Sequence, residues 1–455
     1  MSEGPSTATA AVGARAGGAA TDDGTPVHAR LAAAATLQAA SDPAMPRTLL
    51  LLASSLLGAA LAPCAAVPVP LPPQQQLSSL PLPPHPRLLA LPADMGRLRR
   101  SSSPEAKQAQ AKLQAHGELL MQHGGQALEG ASLDLVYTMG VLHRLNGSTA
   151  SRWSDFAIKN LVHVCSSPDI CHACCSDKGC NCTAAEANGG RNAAPRQVSL
   201  CTGNLGQALG IAYDWFYHAM SEAERSSIRR AITTQVLNLY SQGLSAGFVG
   251  SIWWRTSGNF NGCINGGAFI ASLAVLDEDG FATPDRVPGS TIAQFARDTL
   301  QLSLISMQRL QGGVTIFQEG YDYGSFGFGN YLTAVRAAET SFGADSPIAK
   351  LLAPQHTELH RNRLYNIGTS GEVYNWADSS ACGGSNGSGC YYGSNTNEWQ
   401  AMAMARRFAD PALGFVARRR ALDPRSPCEA GAGGAEKGHL KYDCALAVRS
   451  FSSCA

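Results

Sequence analysis

The sequence predicts an all-α fold for most of its 455 residues. From His85 onward, apolar side chains recur three and four positions apart, which is the spacing of one helix face. Few stretches alternate with the period of two that is typical of strands, and glycine-rich breaks separate the periodic segments. The sequence predicts too many helices for a four-helix bundle. The candidate folds are therefore an open superhelix or a closed ring of helical hairpins. No fixed-period repeat is visible, which weakens the superhelix.

The first 84 residues differ in composition from the rest. Residues 1–44 are rich in Ala, Gly, Thr and Ser and cannot offset chain entropy by burial, so we expect a disordered extension or a start-site artefact. Residues 45–66, MPRTLLLLASSLLGAALAPCAA, have the layout of a secretory signal peptide. The rival interpretation is a membrane anchor, but the apolar run is shorter than the roughly 20 residues that a spanning helix needs. A Pro-rich linker over 67–84 follows, and we expect a secreted protein.

Cysteine usage agrees with export. The chain has 14 cysteines, and losing Cys64 with the signal leaves an odd number, so one thiol should be free or paired between chains. Residues 165–201 form a Cys-rich insertion in which we expect disulfides, while a zinc knuckle using His163 and His172 is the rival. We expect no metal and no cofactor. Three sequons, at Asn146, Asn181 and Asn386, fit a glycoprotein.

The charge balance limits the classes of partner. Charged residues make up 15% of the chain and the formal net charge is +1. No whole-molecule field would therefore attract nucleic acid or an anionic membrane, and we expect neither nucleic acid nor stable membrane insertion. A polyanion could still bind in a local basic cleft.

Two segments show the clearest helical pattern. SEAERSSIRRAITTQVLNLY opens with Ser221 and has Glu224 three residues later, which is a capping box, and its apolar stripe ends at Tyr240. STIAQFARDTLQLSLISMQRL, over 290–310, repeats the pattern. Further helices are expected near 104–123, 130–145, 151–164, 203–219, 266–277, 328–342 and 394–408.

The stretch SGNFNGCINGG, over 257–267, places three asparagines and four glycines just before an apolar helical run. Its local interpretation is a capped helix start, with Asn265 as the N-cap and with Gly266 and Gly267 allowing tight hairpin packing. Asp214 and Trp215 are expected to be structural, at the end of a packed helix.

Several separated stretches resemble one family, the heparinase II/III-like polysaccharide lyases. They are HPRLLAL at 85–91, LGQALGIAYDWFYHAMSEAERSSI at 205–228, SGNFNGCINGG itself, QGGVTIFQEGYDYGSFGFGNY at 311–331 and SGEVYNWADSS at 370–380. The resemblance implies an incomplete (α/α) toroid of antiparallel helical hairpins over 85–425. The family's usual C-terminal β-sandwich is expected to be missing, because only a Cys-containing tail over 426–455 remains.

The resemblance also implies a reaction, namely β-elimination at a 4-linked uronic acid in an acidic polysaccharide. An amide that hydrogen-bonds the sugar carboxyl group stabilises the enolate-like transition state, and we assign this role to Asn259. A tyrosine can take the C5 proton and return one to the leaving oxygen, and we assign Tyr323. Phe326-Gly327 is the ungapped match to the family's Tyr-Gly pair, and it would lack a hydroxyl.

Five further residues are expected to contact the substrate around this pair, by motif position, charge or stacking ability. They are Asn261, Arg255, Trp254, Tyr321 and Glu319. The glycines of the Asn-rich stretch would let the sugar chain approach the backbone.

Other functions share parts of this pattern. A uronate C5-epimerase abstracts the same proton without cleavage, and a catalytically degenerate protein would only bind polysaccharide. A glycosidase would need two facing carboxylic acids, for which Glu319, Asp322 and Asp378 are the available types. His356 and His360 are histidine candidates by position alone.

Overall fold

A computed structural model describes residues 82–122, 133–147, 151–166, 198, 200–245, 259–278, 291–311, 320–365 and 398–421. This part of the chain is 82% helix and contains no β-strand, which confirms the all-α prediction. The predictions for 1–44, for the signal peptide at 45–66, for nearly all of the Pro-rich linker and the Cys-rich insertion, and for the 426–455 tail lie outside the described residues. No helix in the described ranges is both long enough and apolar enough to cross a membrane.

The described ranges contain thirteen α-helices, two π-helical segments and two short 3-10 turns. The helices are α1 Pro92–Arg100, α2 Pro104–Gln122, α3 Leu133–Asn146, α4 Ser151–Cys165, α5 Leu200–Trp215, α6 Glu222–Ala231, α7 Asn238–Ser245, α8 Gly266–Ala274, α9 Ile292–Gln311, α10 Gly320–Phe342, α11 Thr357–Tyr365, α12 Glu398–Arg407 and α13 Pro411–Ala421. The π segments are π1 Ile232–Leu237, between α6 and α7, and π2 Asn261–Asn265, which leads into α8. The 3-10 turns are Ala349–Leu351 and Pro354–His356.

Most of the expected helices are present, with two kinds of difference. Helices α1, α11 and α13 were not expected from the sequence. Helix α10 begins at Gly320, eight residues before the predicted start at 328, and so includes the glycine-rich YDYGSFGFG run. The capping box of α6 is confirmed, because Ser221 and Glu224 bond each other's backbone amides.

Helix α5 runs in the same direction as α3 and opposite to α6 and α7. Along α3 and α5, Tyr137 contacts Gln207 through a hydrogen bond of 2.8 Å, and His143 contacts Phe216 through ring packing further toward both C-termini. Along the α6–π1–α7 segment the order is reversed, since Val236 packs near Gly206 whereas Arg229 bonds Tyr213.

Helix α8 lies between α5 and α10 and runs in the same direction as both. A Cβ at Gly206 would lie 2.7 Å from the Gly267 carbonyl oxygen, and one at Gly210 would lie 2.9 Å from that of Ile270. Every residue from Asn261 to Leu276 is buried, because helices α5, α9 and α10 and segment π1 all pack around it. A helix that is apolar on all sides suits this interior position.

The loop before α1 joins the ends of α5 and α8. Asp214, fully buried at the end of α5, accepts hydrogen bonds from the His85 ring and from the backbone amides of Arg87 and Leu88. Trp215 donates its indole N–H to the Leu88 carbonyl at 2.9 Å. Asp214 and Trp215 therefore have the structural role expected of them.

Arg87 fixes the other side of this loop. Its guanidinium forms a bidentate pair with Asp277, at 2.6 and 2.8 Å, and donates to the carbonyls of Leu273 and Ala274 at the end of α8. A cation at a helix C-terminus is stabilised by the helix dipole. Burial raises the pKa of the Asp277 carboxyl, but Arg87 and His85 together outweigh burial, and the pKa is lowered.

Candidate functional site

The Asn-rich stretch is helical, and the prediction of an N-cap at Asn265 is wrong. The backbone is already helical at Asn259 and Phe260, passes through π2 and continues into α8 without a break. Asn265 itself has helical dihedrals, φ −70° and ψ −39°, and its side chain makes no capping bond. The local signal of an asparagine before an apolar run was overridden by packing on two sides of this segment.

The side chain of Asn265 bonds two other polar groups. Its Oδ1 accepts a hydrogen bond of 2.7 Å from the Tyr240 hydroxyl. Its Nδ2 donates to the Asn261 carbonyl oxygen at 2.9 Å and to the Asn261 Oδ1 at 3.1 Å. All three residues have 0% exposure.

The glycines of the stretch make room for neighbouring helices rather than for a sugar chain. A Cβ at Gly262 would lie 2.0 Å from the carbonyl oxygen of Gly327 in α10, and one at Gly266 would lie 2.8 Å from that of Asn330. Gly267 approaches the backbone of α5 in the same way. The predicted tight packing at Gly266 and Gly267 is therefore observed, whereas the predicted sugar approach meets occupied space at Gly262, Gly266 and Gly267.

Asn259 and Phe260 immediately precede π2 and differ in exposure. The Asn259 side chain is enclosed, with 3% of the residue exposed. Phe260 is 41% exposed and presents an aromatic ring at the surface. Asn259 is thus close to the surface, but a ligand that touches its amide must first displace the groups that cover it.

The structure brings the two predicted site motifs together through their backbones. The contact between Gly262 and Gly327 lies three residues after Asn259 and four residues after Tyr323. Because π2 and α10 run in the same direction here, Asn259 and Tyr323 both lie about one helical turn before the contact. The side chains of Tyr321 and Tyr323 lie outside the described part of the chain, as do Trp254, Arg255 and Glu319.

A buried thiol packs beside this segment. The Cys263 Sγ lies 3.4 Å from Asn204 Oδ1 and 3.5 Å from the Leu200 carbonyl oxygen, so two acceptors share its single proton. Burial raises the pKa of the Cys263 thiol, so it stays protonated and carries no negative charge.

The sequence predicted one thiol that is free or paired between chains, and two cysteines in the described residues are relevant to that prediction. Cys263 and Cys165 are both free thiols. Cys165 opens the insertion in which disulfides were expected, and the side chains of the other cysteines of that insertion lie outside the described residues.

Two histidines near the start of α11 are buried among aromatic rings. The rings of His356 and His360 lie 5.8 and 5.5 Å from Phe328. Burial lowers the pKa of His356 to about 4, so its ring is neutral at pH 7. Within the described ranges, no three His, Cys, Asp or Glu side chains cluster closely enough to hold a metal ion.

Sequence reasoning missed Tyr240. The residue was counted only as the last member of an apolar stripe, yet its hydroxyl bonds the Asn-rich segment from a helix that runs the opposite way. No local pattern indicates which apolar-stripe tyrosine will find a polar partner.

No protein-family model matches this sequence, and no curated protein matches it either. The resemblance to the heparinase II/III-like lyases therefore depends on the motifs quoted above.

Proposed function

We propose that this protein is a secreted polysaccharide lyase that cleaves a 4-linked uronic-acid polysaccharide by β-elimination. One observation carries the proposal: the contact of Gly262 with Gly327, which lies about one turn from the backbones of both Asn259 and Tyr323. A site formed from two motifs that are distant in sequence requires the fold to bring them together in space.

We also infer an incomplete (α/α) toroid. Helices α3, α5, α8 and α10 follow one another in space and run in the same direction, as the contacts above indicate. The α6–π1–α7 segment returns the chain between α5 and α8 in the opposite direction. This alternation supports one layer of a toroid built from helical hairpins.

The proposed reaction needs only groups that this chain supplies. The Asn259 amide hydrogen-bonds the sugar carboxylate and stabilises the charge that develops when the C5–H bond breaks. Tyr323, as the phenolate, takes that proton and becomes a hydroxyl, a double bond forms between C4 and C5, and the bond from C4 to the leaving oxygen breaks. The leaving oxygen then receives a proton from the same hydroxyl. Phe260, exposed beside Asn259, offers a face on which a sugar ring can stack.

The enclosure of Asn259 favours a second candidate function. With 3% exposure, its amide reaches a carboxylate only after its cover opens, whereas Phe260 is accessible as it stands. A degenerate lyase-like protein that binds polysaccharide without cleaving it would need no such opening.

The unsaturated product separates a lyase from the other candidates. The purified full chain is incubated with a panel of uronate polysaccharides, and the ultraviolet absorbance of the unsaturated uronate is recorded. We expect product formation, and a loss of kcat of about 100-fold or more in Asn259→Ala and Tyr323→Phe. Asn160→Ala and Tyr137→Phe serve as matched controls and should retain activity.

Three results would contradict the proposal in different ways. Binding without any product would favour the degenerate protein. Inversion at C5 without an unsaturated product would indicate an epimerase. Product formation at wild-type rates in both Asn259→Ala and Tyr323→Phe would preserve the lyase class and remove the assigned residues.

A further inference from the structure

Three buried polar side chains form a directed chain of hydrogen bonds behind the Asn-rich turn. A tyrosine hydroxyl carries one proton, so in its bond with Tyr240 the Oδ1 of Asn265 is the acceptor. This orientation turns the Asn265 NH2 group toward Asn261, where it donates to both the carbonyl and Oδ1. Tyr240, which belongs to another helix, therefore fixes the side-chain orientation of Asn265. Asn265 in turn fixes the side-chain orientation of Asn261.

Irregular helix geometry accompanies this chain at both ends. Segment π1 ends at Leu237, three residues before Tyr240, and π2 spans the five residues from Asn261 to Asn265. A π turn is costly relative to an α-helix and is often found at functional sites. The Asn265 side chain bonds the first carbonyl of π2 and so holds the turn that Asn259 and Phe260 immediately precede.

Stability alone gives little reason for this polar chain. Polar groups that are 0% exposed lose their bonds to water, and replacing both partners with apolar groups of the same shape can be nearly neutral. The chain does give orientation, because each bond fixes the next side chain and polarises it. None of its three members is exposed, so they act on a ligand only through the residues before them.

We infer that Tyr240 is a positioning residue for the proposed elimination, acting through Asn265 and Asn261 on the turn that carries Asn259. Asn261, expected from the sequence to touch substrate, belongs to this supporting chain. The role rests on the proposed function. A displacement of about 1 Å at a reacting group can cost about 100-fold in rate, so the effect should appear in kcat rather than in KM.

The test compares the full-length chain with Tyr240→Phe, Asn265→Asp and a control. Tyr240→Phe removes the first donor. Asn265→Asp keeps the acceptor for Tyr240, but a carboxylate cannot donate to Asn261. Tyr137→Phe is the matched control, because its hydroxyl is equally buried and bonds an amide, that of Gln207, outside the chain.

We expect kcat on the best uronate polysaccharide to fall about 10- to 100-fold in Tyr240→Phe and Asn265→Asp, with KM changing less than about threefold. Tyr137→Phe should lose stability and keep its kcat. Wild-type kcat in either of the first two variants, at a temperature where all are folded, would overturn the positioning role.

A second measurement does not depend on activity. Tyr240→Phe and Asn261→Ala each change the unfolding equilibrium constant by some factor. If the hydrogen-bond chain is continuous, the factor measured in the double variant will differ by about threefold or more from the product of the two single-variant factors. Independent effects would overturn the connection itself. A wild-type chain that cleaves no uronate polysaccharide would overturn the proposed function and the positioning role together, and this coupling would still report whether the three residues act as one unit.

Discussion

The carboxylate of Asp214 accepts the backbone N–H of Leu88 at 2.7 Å, across 126 positions of the sequence. The same carboxylate accepts from the amide of Arg87 and from the ring of His85, at 2.9 and 2.6 Å. One buried carboxylate thus accepts hydrogen bonds from three donors of a loop that lies outside any helix. It also joins this loop to the end of α5.

Replacing Asp214 should destabilise the fold severely. In Asp214→Asn one oxygen becomes an NH2 group that faces donors, and hydrogen bonds to a charged acceptor contribute about 1.5 to 3 kcal/mol each. We expect the free energy of unfolding, measured in denaturant, to fall by about 3 kcal/mol or more. Asp345→Asn, at an exposed position, should stay within about 0.5 kcal/mol of wild type. Similar values for the two variants would refute the anchoring role.

The features that could be predicted from the sequence are local. The Ser221 capping box depends on a residue and its neighbour three positions on, and the structure contains it. A helix over 203–219 was likewise predicted from the periodicity of a single segment, and α5 spans Leu200–Trp215. The partners of Asp214 were not predicted, because His85 and Leu88 come from a loop far away in sequence.

The Asn-rich stretch shows why the rest could not be predicted. Asparagine and glycine before an apolar run normally mark a helix start, yet here the helix passes straight through. Gly262 and Gly327 have low helix propensity, but their missing side chains let two helices meet at the backbone. Gly327 also lies within the part of α10 that precedes the predicted start at 328, so the same kind of contact occurs in a stretch that the sequence left outside the helix.

The protonation of His85 should make stability depend on pH. Burial lowers the pKa of His85, but its hydrogen bond to Asp214 and the nearby Asp277 carboxylate together outweigh burial, so the pKa is raised above its ordinary value of 6.5. The folded state then holds this proton more tightly than the unfolded state. The contribution is complete below about pH 6.5 and is lost as pH rises through the folded pKa. Denaturant unfolding between pH 6 and 9 should show a decline that is shallower in His85→Gln. Equal slopes would contradict the assignment.

His356 should make the protein less stable as pH falls, which is the opposite of the effect expected for His85. Burial lowers its pKa to about 4, so below about pH 6.5 the unfolded state binds a proton that the folded state refuses. We expect its contribution to the free energy of unfolding to fall by about 2 to 3 kcal/mol between pH 7 and pH 4.5. His356→Gln should remove this part of the acid sensitivity. An NMR titration of the His356 ring that gave an ordinary pKa would overturn the prediction.

Gly267→Ala should separate α8 from α5. The added Cβ would lie 1.9 Å from the carbonyl oxygen of Gly203, and backbone on both sides leaves no flexible side chain to move. Overpacking of this kind typically costs about 1 to 3 kcal/mol, and contact with rigid backbone puts Gly267→Ala at the upper end. Gly414→Ala is the matched control, because its Cβ would meet only the Ala405 methyl at 3.4 Å inside a helix, and alanine there should be neutral or stabilising by up to about 1 kcal/mol. Thermal unfolding of the two variants measures the difference. A Gly267→Ala chain as stable as Gly414→Ala would mean that α5 and α8 do not meet at their backbones, and the order of same-direction helices that supports the toroid would be lost.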